Sequence, residues 1–178
     1  EHGIAALRTA GASLAVPWAI AGAGWALAEL GHAEEALACL MESGQLARGL
    51  AARDAPGGAS GTRLRVLGRA SLALGRLDEA QRLGARAVEA SPHQPAYAAH
   101  AWHLLGDVAT HANCFDSERG LTCYREALAL AEPPGMRPLI AHCHLGIGRV
   151  HRRLGKRDAA GDHLAKAARL YRDMGLSY

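Results

Sequence analysis

Aromatic residues are scarce in this sequence, and β-branched residues are thinly spread along it. Phe, Trp and Tyr make up 4% of the 178 residues, whereas 49% are hydrophobic and 21 residues are Gly. Because strands favour aromatic and β-branched residues, and no long stretch alternates between apolar and polar positions, a β-sheet fold finds little support. The abundant Ala and Leu favour helix. The sequence therefore predicts an all-α protein that is long enough to bury a core.

A strong excess of charge of one sign is also absent. The 20 Lys and Arg residues nearly balance the 17 Asp and Glu residues, which leaves a net charge of +3. Nucleic-acid binding usually needs a concentrated basic stripe, so we expect no direct nucleic-acid partner. The four cysteines form no Cys-x-x-Cys pair, which is typical of reduced thiols in a cytoplasmic protein.

The sequence lacks catalytic motifs and a convincing membrane segment. Neither Gly-x-Ser-x-Gly nor His-Glu-x-x-His occurs. Cys143 lies between His142 and His144, but neighbours on a helix point about 100° apart, so we expect a buried structural thiol. Residues 9–28 carry no charge, yet most are Ala or Gly and Pro17 interrupts them, which favours a buried helix over a membrane span. We therefore expect a protein that is neither an enzyme nor membrane-bound.

A pattern of small residues recurs four times along the chain. Its copies begin at Gly24, Gly68, Gly106 and Gly148, at intervals of about 40 residues. A fixed period of this size is the signature of a helical repeat array, in which each repeat buries its apolar face against its neighbours. We predict a single solenoid domain over 1–178, with a remnant of a preceding repeat at 1–10 and repeats at 14–52, 60–92, 96–133 and 137–174.

Each repeat is predicted to fold into two helices. Apolar runs and helix breakers predict helices at 14–30, 33–51, 63–74, 77–90, 96–111, 117–131, 139–154 and 157–173. Gly31, Gly75 and Gly155 suit the left-handed turn after a helix, and an enlarged turn at 113–116 takes their place in the third repeat. Gly and Pro within 55–60 predict a flexible linker. Close helix crossings are predicted at four small pairs, namely Gly24/Ala36, Gly68/Ala80, Gly106/Gly120 and Gly148/Ala160.

The third repeat carries the strongest family resemblance, through Trp102, Leu105-Gly106, Tyr124, Ala127 and Pro133. These residues match the consensus of the tetratricopeptide repeat. Over about 14–175 the chain resembles the longer tetratricopeptide arrays that end large bacterial signalling ATPases, including cyclase-linked and LuxR-type transcription regulators. The resemblance implies a right-handed superhelical solenoid of about four helix-turn-helix repeats that serves as an interaction or sensory module. The start at Glu1 without a Met agrees with a piece of such a longer chain.

The resemblance also implies that the first helix of each repeat lines a concave groove, with Trp102 on the opposite, core-facing side. The predicted groove residues are Trp18, Trp25, Arg65, Arg69, His100, His103, Asp107, His142, Arg149 and Arg152. Arg binds carboxylates in bidentate fashion, and Trp offers flat apolar contact. We therefore predict binding of an acidic or amphipathic peptide, from a partner protein or from another domain of the parent chain. The alternative interpretation is a solvated helix face.

Two further interpretations stay open for particular side chains. Imidazole and carboxylate donors suit Zn²⁺, a small ligand or a pH sensor, and the candidates for such a site are His100, His103, Asp107 and His142. Chance clustering is the alternative in a chain with 10 histidines. Uncapped solenoid ends would leave an apolar surface for a homodimer, with candidates Leu164, Leu170, Tyr171 and Met174. We expect no cofactor.

Overall fold

The computed structural model describes residues 2–9, 15–51 and 58–176 and shows an all-helical chain over these ranges. The described helices are α1 (His2–Thr9), α2 (Val16–Glu29), α3 (Ala33–Ala51), α4 (Gly58–Ala73), α5 (Leu77–Glu89), α6 (Pro95–Ala109), α7 (Ser117–Ala131), α8 (Arg137–Arg153) and α9 (Arg157–Asp173). A short 3₁₀ helix, Ala112–Cys114, lies between α6 and α7. The all-α prediction is confirmed, and α3, α7 and α9 have the predicted bounds. No described helix is long and apolar enough to cross a membrane.

Pro and Gly mark the ends of the helices as the sequence predicts. Pro stands in the first turn of α2, α6 and α8, where its missing N–H has no helical partner to lose. Gly31, Gly75 and Gly155 have φ angles of +82°, +71° and +74°, the left-handed conformation that Gly adopts without steric penalty. In the third repeat, the 3₁₀ helix replaces that Gly, and Asp116 then caps α7 by accepting a hydrogen bond of 3.0 Å from the Arg119 N–H.

The start of α4 differs from the prediction. Residues 58–60, which we assigned to a flexible linker, belong to this helix, because it begins at Gly58 and not at position 63. Residues 55–57 of the predicted linker lie outside the described part of the chain, as do residue 14 of the first predicted helix and residues 1 and 10 of the predicted remnant. The remainder of that remnant, His2–Thr9, is the helix α1.

The chain divides into two compact units, Glu1–Ala90 and Ser91–Tyr178. In the N-terminal unit, α2 packs against α3 and α4, and α4 packs against α5. The buried Ser43 hydroxyl of α3 donates a hydrogen bond of 2.7 Å to the Pro17 carbonyl oxygen in the first turn of α2. In the C-terminal unit, α6 packs against α7, α7 against α8, and α8 against α9. Successive helices therefore pack as adjacent pairs within each unit.

Small residues on the first helix of a pair admit a large side chain from the second. A Cβ atom added at Gly24 would meet Cys39, the Ala36 carbonyl and Leu40, at 3.0, 3.4 and 3.4 Å. The predicted Gly24/Ala36 crossing is thus confirmed. A Cβ added at Gly148 would lie 2.7 Å from Leu164 Cγ and 3.3 Å from the Leu164 backbone nitrogen, so α8 and α9 also approach closely at Gly148.

The third repeat uses an aromatic ring at the same register. Cβ atoms added at Gly106 on α6 and at Gly146 on α8 would lie 2.6 and 2.5 Å from the ring of Tyr124. This ring, on α7, is only 2% exposed, because it fills the space that the two glycines leave. The carbonyl of Gly106 does lie 3.8 Å from the Cβ position of Gly120, as the predicted crossing requires. The main role of Gly106 is nevertheless to admit Tyr124.

Candidate functional site

A partly buried polar network joins α6 and α7 in the C-terminal unit. The Tyr124 hydroxyl donates a hydrogen bond of 2.7 Å to Asp107 Oδ1, and Thr110 Oγ1 lies 3.1 Å from the same hydroxyl. His103 Nδ1 lies 3.3 Å from Asp107 Oδ2, one helical turn away on α6. Hydrogen bonds of this kind allow the hydroxyl of Tyr124 to stay inside a core. His103 is only 6% exposed, so little of its side chain is open to a ligand.

His142 and Tyr171 extend this network to α8 and α9. The ring centroids of His103 and His142 are 5.9 Å apart, and those of His142 and Tyr171 are 5.5 Å apart. The Tyr171 hydroxyl lies 2.6 Å from His142 Nδ1. The structure therefore brings together three of the four predicted metal candidates, His103, Asp107 and His142. The fourth candidate, His100, is partly buried and lies one turn before His103 on α6.

The network's geometry serves packing better than metal binding. Within residues 2–9, 15–51 and 58–176, no group of three or more His, Cys, Asp or Glu side chains could hold a metal ion. The Nδ1 atoms of His103 and His142 already face an Asp107 carboxylate oxygen and the Tyr171 hydroxyl. These contacts connect all four helices of the C-terminal unit through side chains. Cys143 is fully buried beside them on α8, in agreement with a structural thiol.

An arginine of the N-terminal unit lies in an unusual setting for a charged residue. Arg65, on α4, is partly buried, and its buried Nε atom has no hydrogen-bond partner. Burial, and after it the positive charge of Arg69, lowers the pKa of Arg65 below its ordinary value. Arg69 lies one turn further along the same helix and is also partly buried. Two cations thus share one helical face where water solvates them incompletely.

The two predicted groove tryptophans differ in their surroundings. Trp18 is 48% exposed near the start of α2. Trp25 is partly buried on the cluster formed by Ala28, Ala36 and Ala70, and its Nε1–H donates a hydrogen bond of 2.9 Å to Glu29 Oε1. Trp102, predicted as a core residue, packs in a partly buried position on the core cluster of the C-terminal unit, which confirms that assignment.

The basic residues of α8 lie on its exposed side. Arg149 and Arg152 are both exposed, in agreement with either a binding face or a solvated one. Arg153, which we did not single out, places its guanidinium carbon 3.8 Å from the ring centroid of Phe115, in a cation–π contact. The predicted dimer residues are largely occupied within their own unit. Tyr171 is 7% exposed, and Leu170 and Met174 pack against its cluster.

A second row of histidines, on α8 and α9, is absent from the sequence-based predictions. His144 and His163 face each other with their Nδ1 atoms 2.9 Å apart, and the ring centroids of His151 and His163 are 5.8 Å apart. The available signal was the spacing of seven residues between His144 and His151, which places both on one face of a helix. The position of His163 opposite them depends on the register of α9 relative to α8, which cannot be predicted from the sequence alone.

Comparison with known proteins adds no assignment. No protein-family model matches the chain, and no curated protein matches it. The interpretation of the site therefore depends on its own geometry.

Proposed function

We propose that this chain is a tetratricopeptide-like solenoid of four repeats that binds an acidic peptide segment and carries out no catalysis itself. The segment belongs to a partner protein or to another domain of the parent chain, in a cytoplasmic bacterial signalling or transcription regulator. The family resemblance motivates the solenoid and its cellular context. The binding chemistry is motivated by the setting of Arg65.

The buried Nε of Arg65 is the observation that carries the proposal. A buried guanidinium Nε–H without an acceptor is unfavourable, because its desolvation is not offset by a hydrogen bond. A carboxylate placed against Arg65 would supply both an opposite charge and acceptors in the planar geometry that Arg favours. The nearby Arg69 adds positive charge to the same helical face and would strengthen this attraction. A peptide with repeated acidic residues therefore fits this face of α4.

Fluorescence polarisation with two labelled peptides tests the proposal. One peptide alternates Glu and Leu, and the other has Lys in place of each Glu. We expect the full chain to bind the acidic peptide only. The substitution Arg65→Gln should weaken that binding by about 10- to 100-fold, because it removes hydrogen bonds to a charged group that contribute about 1.5–3 kcal/mol. Because the substitution removes a poorly solvated charge, it should not lower the urea midpoint of the free protein.

The matched control is Arg86→Gln, which removes one positive charge from an exposed position of α5 in the same unit. This variant should bind the acidic peptide within about twofold of the parent chain, since an exposed charge is screened by salt and solvent. Equal binding of both peptides would refute the proposal. Equal losses in Arg65→Gln and Arg86→Gln would show that only net charge matters, and would also refute it.

A further inference from the structure

Three imidazoles form a row between the last two helices. His144 and His151 lie two turns apart on α8, and His163 on α9 faces both of them. The ring centroids of His144 and His163 are 5.0 Å apart, and those of His151 and His163 are 5.8 Å apart. All three side chains are partly buried. Their contacts join α8 to the first half of α9.

The hydrogen bond between His144 and His163 limits how many protons the pair can hold. At an Nδ1–Nδ1 distance of 2.9 Å, one Nδ1 must carry a hydrogen and the other must offer a lone pair. A first additional proton can bind the distant Nε2 of the donating ring, and the bond then becomes charge-assisted. A second additional proton has to bind the accepting Nδ1. It removes the bond and places two N–H groups and two positive charges face to face.

We propose that His144, His163 and His151 form a proton-sensitive clasp, closed while at most one imidazolium occupies the His144–His163 pair and opened by the second. Opening separates the first half of α9 from α8. The neighbouring contact between Tyr171 and His142 persists, because a hydroxyl group can accept a hydrogen bond from a protonated imidazole as well as donate one to a neutral imidazole. The second half of α9 therefore stays docked while the first half loosens.

Besides burial, charged groups around the His144–His163 pair change the pKa values of its imidazoles. Lys166 on α9 lowers the pKa of both, His151 on α8 lowers that of His163, and Asp162 on α9 raises that of His163. Burial is the largest cause, and it lowers the pKa of both His144 and His163 below the ordinary value of 6.5.

The direction of the pH effect follows from these lowered pKa values. Below about pH 6.5 the unfolded chain binds protons at these histidines more readily than the folded chain does. The clasp is therefore stable above this value and weakens as the pH falls through the lower folded-state pKa values. Each such group changes the opening equilibrium by at most about tenfold per pH unit. We expect about a tenfold increase in opening between pH 7.5 and 5.5.

Hydrogen exchange measured by mass spectrometry on the full chain tests this inference, after correction for the pH dependence of intrinsic exchange. Between pH 7.5 and 5.5, amides of the first half of α9 should lose about tenfold in protection, while those of α7 change little. In His163→Gln the loss should fall below about threefold, because an amide side chain stays neutral over this range. His93→Gln, which removes an exposed histidine of the same unit, should behave like the parent chain.

A titration of the imidazole resonances by NMR requires no substitution and covers the case in which His163→Gln does not fold. His144 and His163 should titrate below pH 6.5 and show coupled curves. The inference is overturned if both titrate at or above that value, or if His163→Gln keeps the full pH dependence of α9. Peptide binding at Arg65 does not enter these measurements, so either proposal can fail alone.

Discussion

Replacing Gly146 with Ala tests the packing of Tyr124 between α6 and α8. The added Cβ would lie 2.5 Å from Tyr124 Cζ, whereas carbon atoms in contact prefer about 3.5–4 Å. The ring must therefore move by roughly 1 Å. Such a shift moves the Tyr124 hydroxyl away from its 2.7 Å hydrogen bond to Asp107 and stretches that bond beyond the ordinary range of about 2.5–3.0 Å.

The expected magnitude combines three effects. Overpacking a well-packed core costs about 1–3 kcal/mol, and loss of a hydrogen bond to a carboxylate costs about 1.5–3 kcal/mol. The higher helix propensity of Ala returns about 1 kcal/mol. We expect Gly146→Ala to lower the free energy of unfolding by about 1.5–5 kcal/mol, measured from urea denaturation by far-UV circular dichroism.

The chain offers a matched control for this substitution. Gly161 lies within α9, and a Cβ added there would meet nothing within 4 Å. Gly161→Ala should therefore raise stability by about 0.4–1 kcal/mol, through the lower entropy of the unfolded chain. If Gly146→Ala proved as stable as Gly161→Ala, the described packing of Tyr124 would be refuted.

A double-mutant cycle assigns the loss to the ring itself. The corresponding positions over Gly24 and Gly148 are occupied by Leu40 and Leu164, so Tyr124→Leu places a side chain that this register already accommodates. In the Tyr124→Leu background, Gly146→Ala should cost less than about 1 kcal/mol, which gives a coupling energy within the range that contacting residues show. Additive losses would contradict a direct clash between the added methyl group and the ring.

Two further substitutions test individual hydrogen bonds in the two units. Ser43→Ala removes the buried hydrogen bond to the Pro17 carbonyl and should lower the free energy of unfolding by about 1–3 kcal/mol in urea denaturation. An unchanged urea midpoint would show that this hydrogen bond between α2 and α3 does not stabilise the fold. Asp116→Ala removes the cap that accepts from the Arg119 N–H and should cost about 1 kcal/mol in thermal denaturation. Asp116→Asn, which keeps an accepting oxygen, should recover most of that loss, and failure to do so would indicate a role other than capping.

Local signals in the sequence predict most of the fold. Gly31, Gly75 and Gly155 identify the turns between paired helices because each requires a positive φ that other residues rarely adopt. The start of α4 escaped prediction because Gly58 and Ser60 suit both a linker and a helix terminus. The division after Ala90 lies two residues before the predicted end of the second repeat at position 92, where Ser91-Pro92 breaks the helical pattern.

The candidate site was harder to predict because its residues lie on different helices. The sequence pattern of α6 assigns His103 to the predicted groove and Trp102 to the core, but it does not reveal that the ring of Tyr124 on α7 packs 5.6 Å from the His103 ring. Gly146 lies outside the recurring pattern of small residues, so the sequence analysis did not predict that the Tyr124 ring packs against it. Similarly, the contact of His163 with His144 depends on how α9 is set against α8, which periodicity within one helix cannot determine.

Tyr124 has a consequence for how the C-terminal unit comes apart. The ring of Tyr124, on α7, packs against Gly106 of α6 on one side and against Gly146 of α8 on the other. Detaching either neighbour would leave half of that ring facing water, so neither helical pair can dissociate without weakening the other. Repeat arrays can unfold in steps because each repeat contacts only its neighbours. Because the Tyr124 ring contacts both α6 and α8, we expect the pairs α6–α7 and α8–α9 to unfold together.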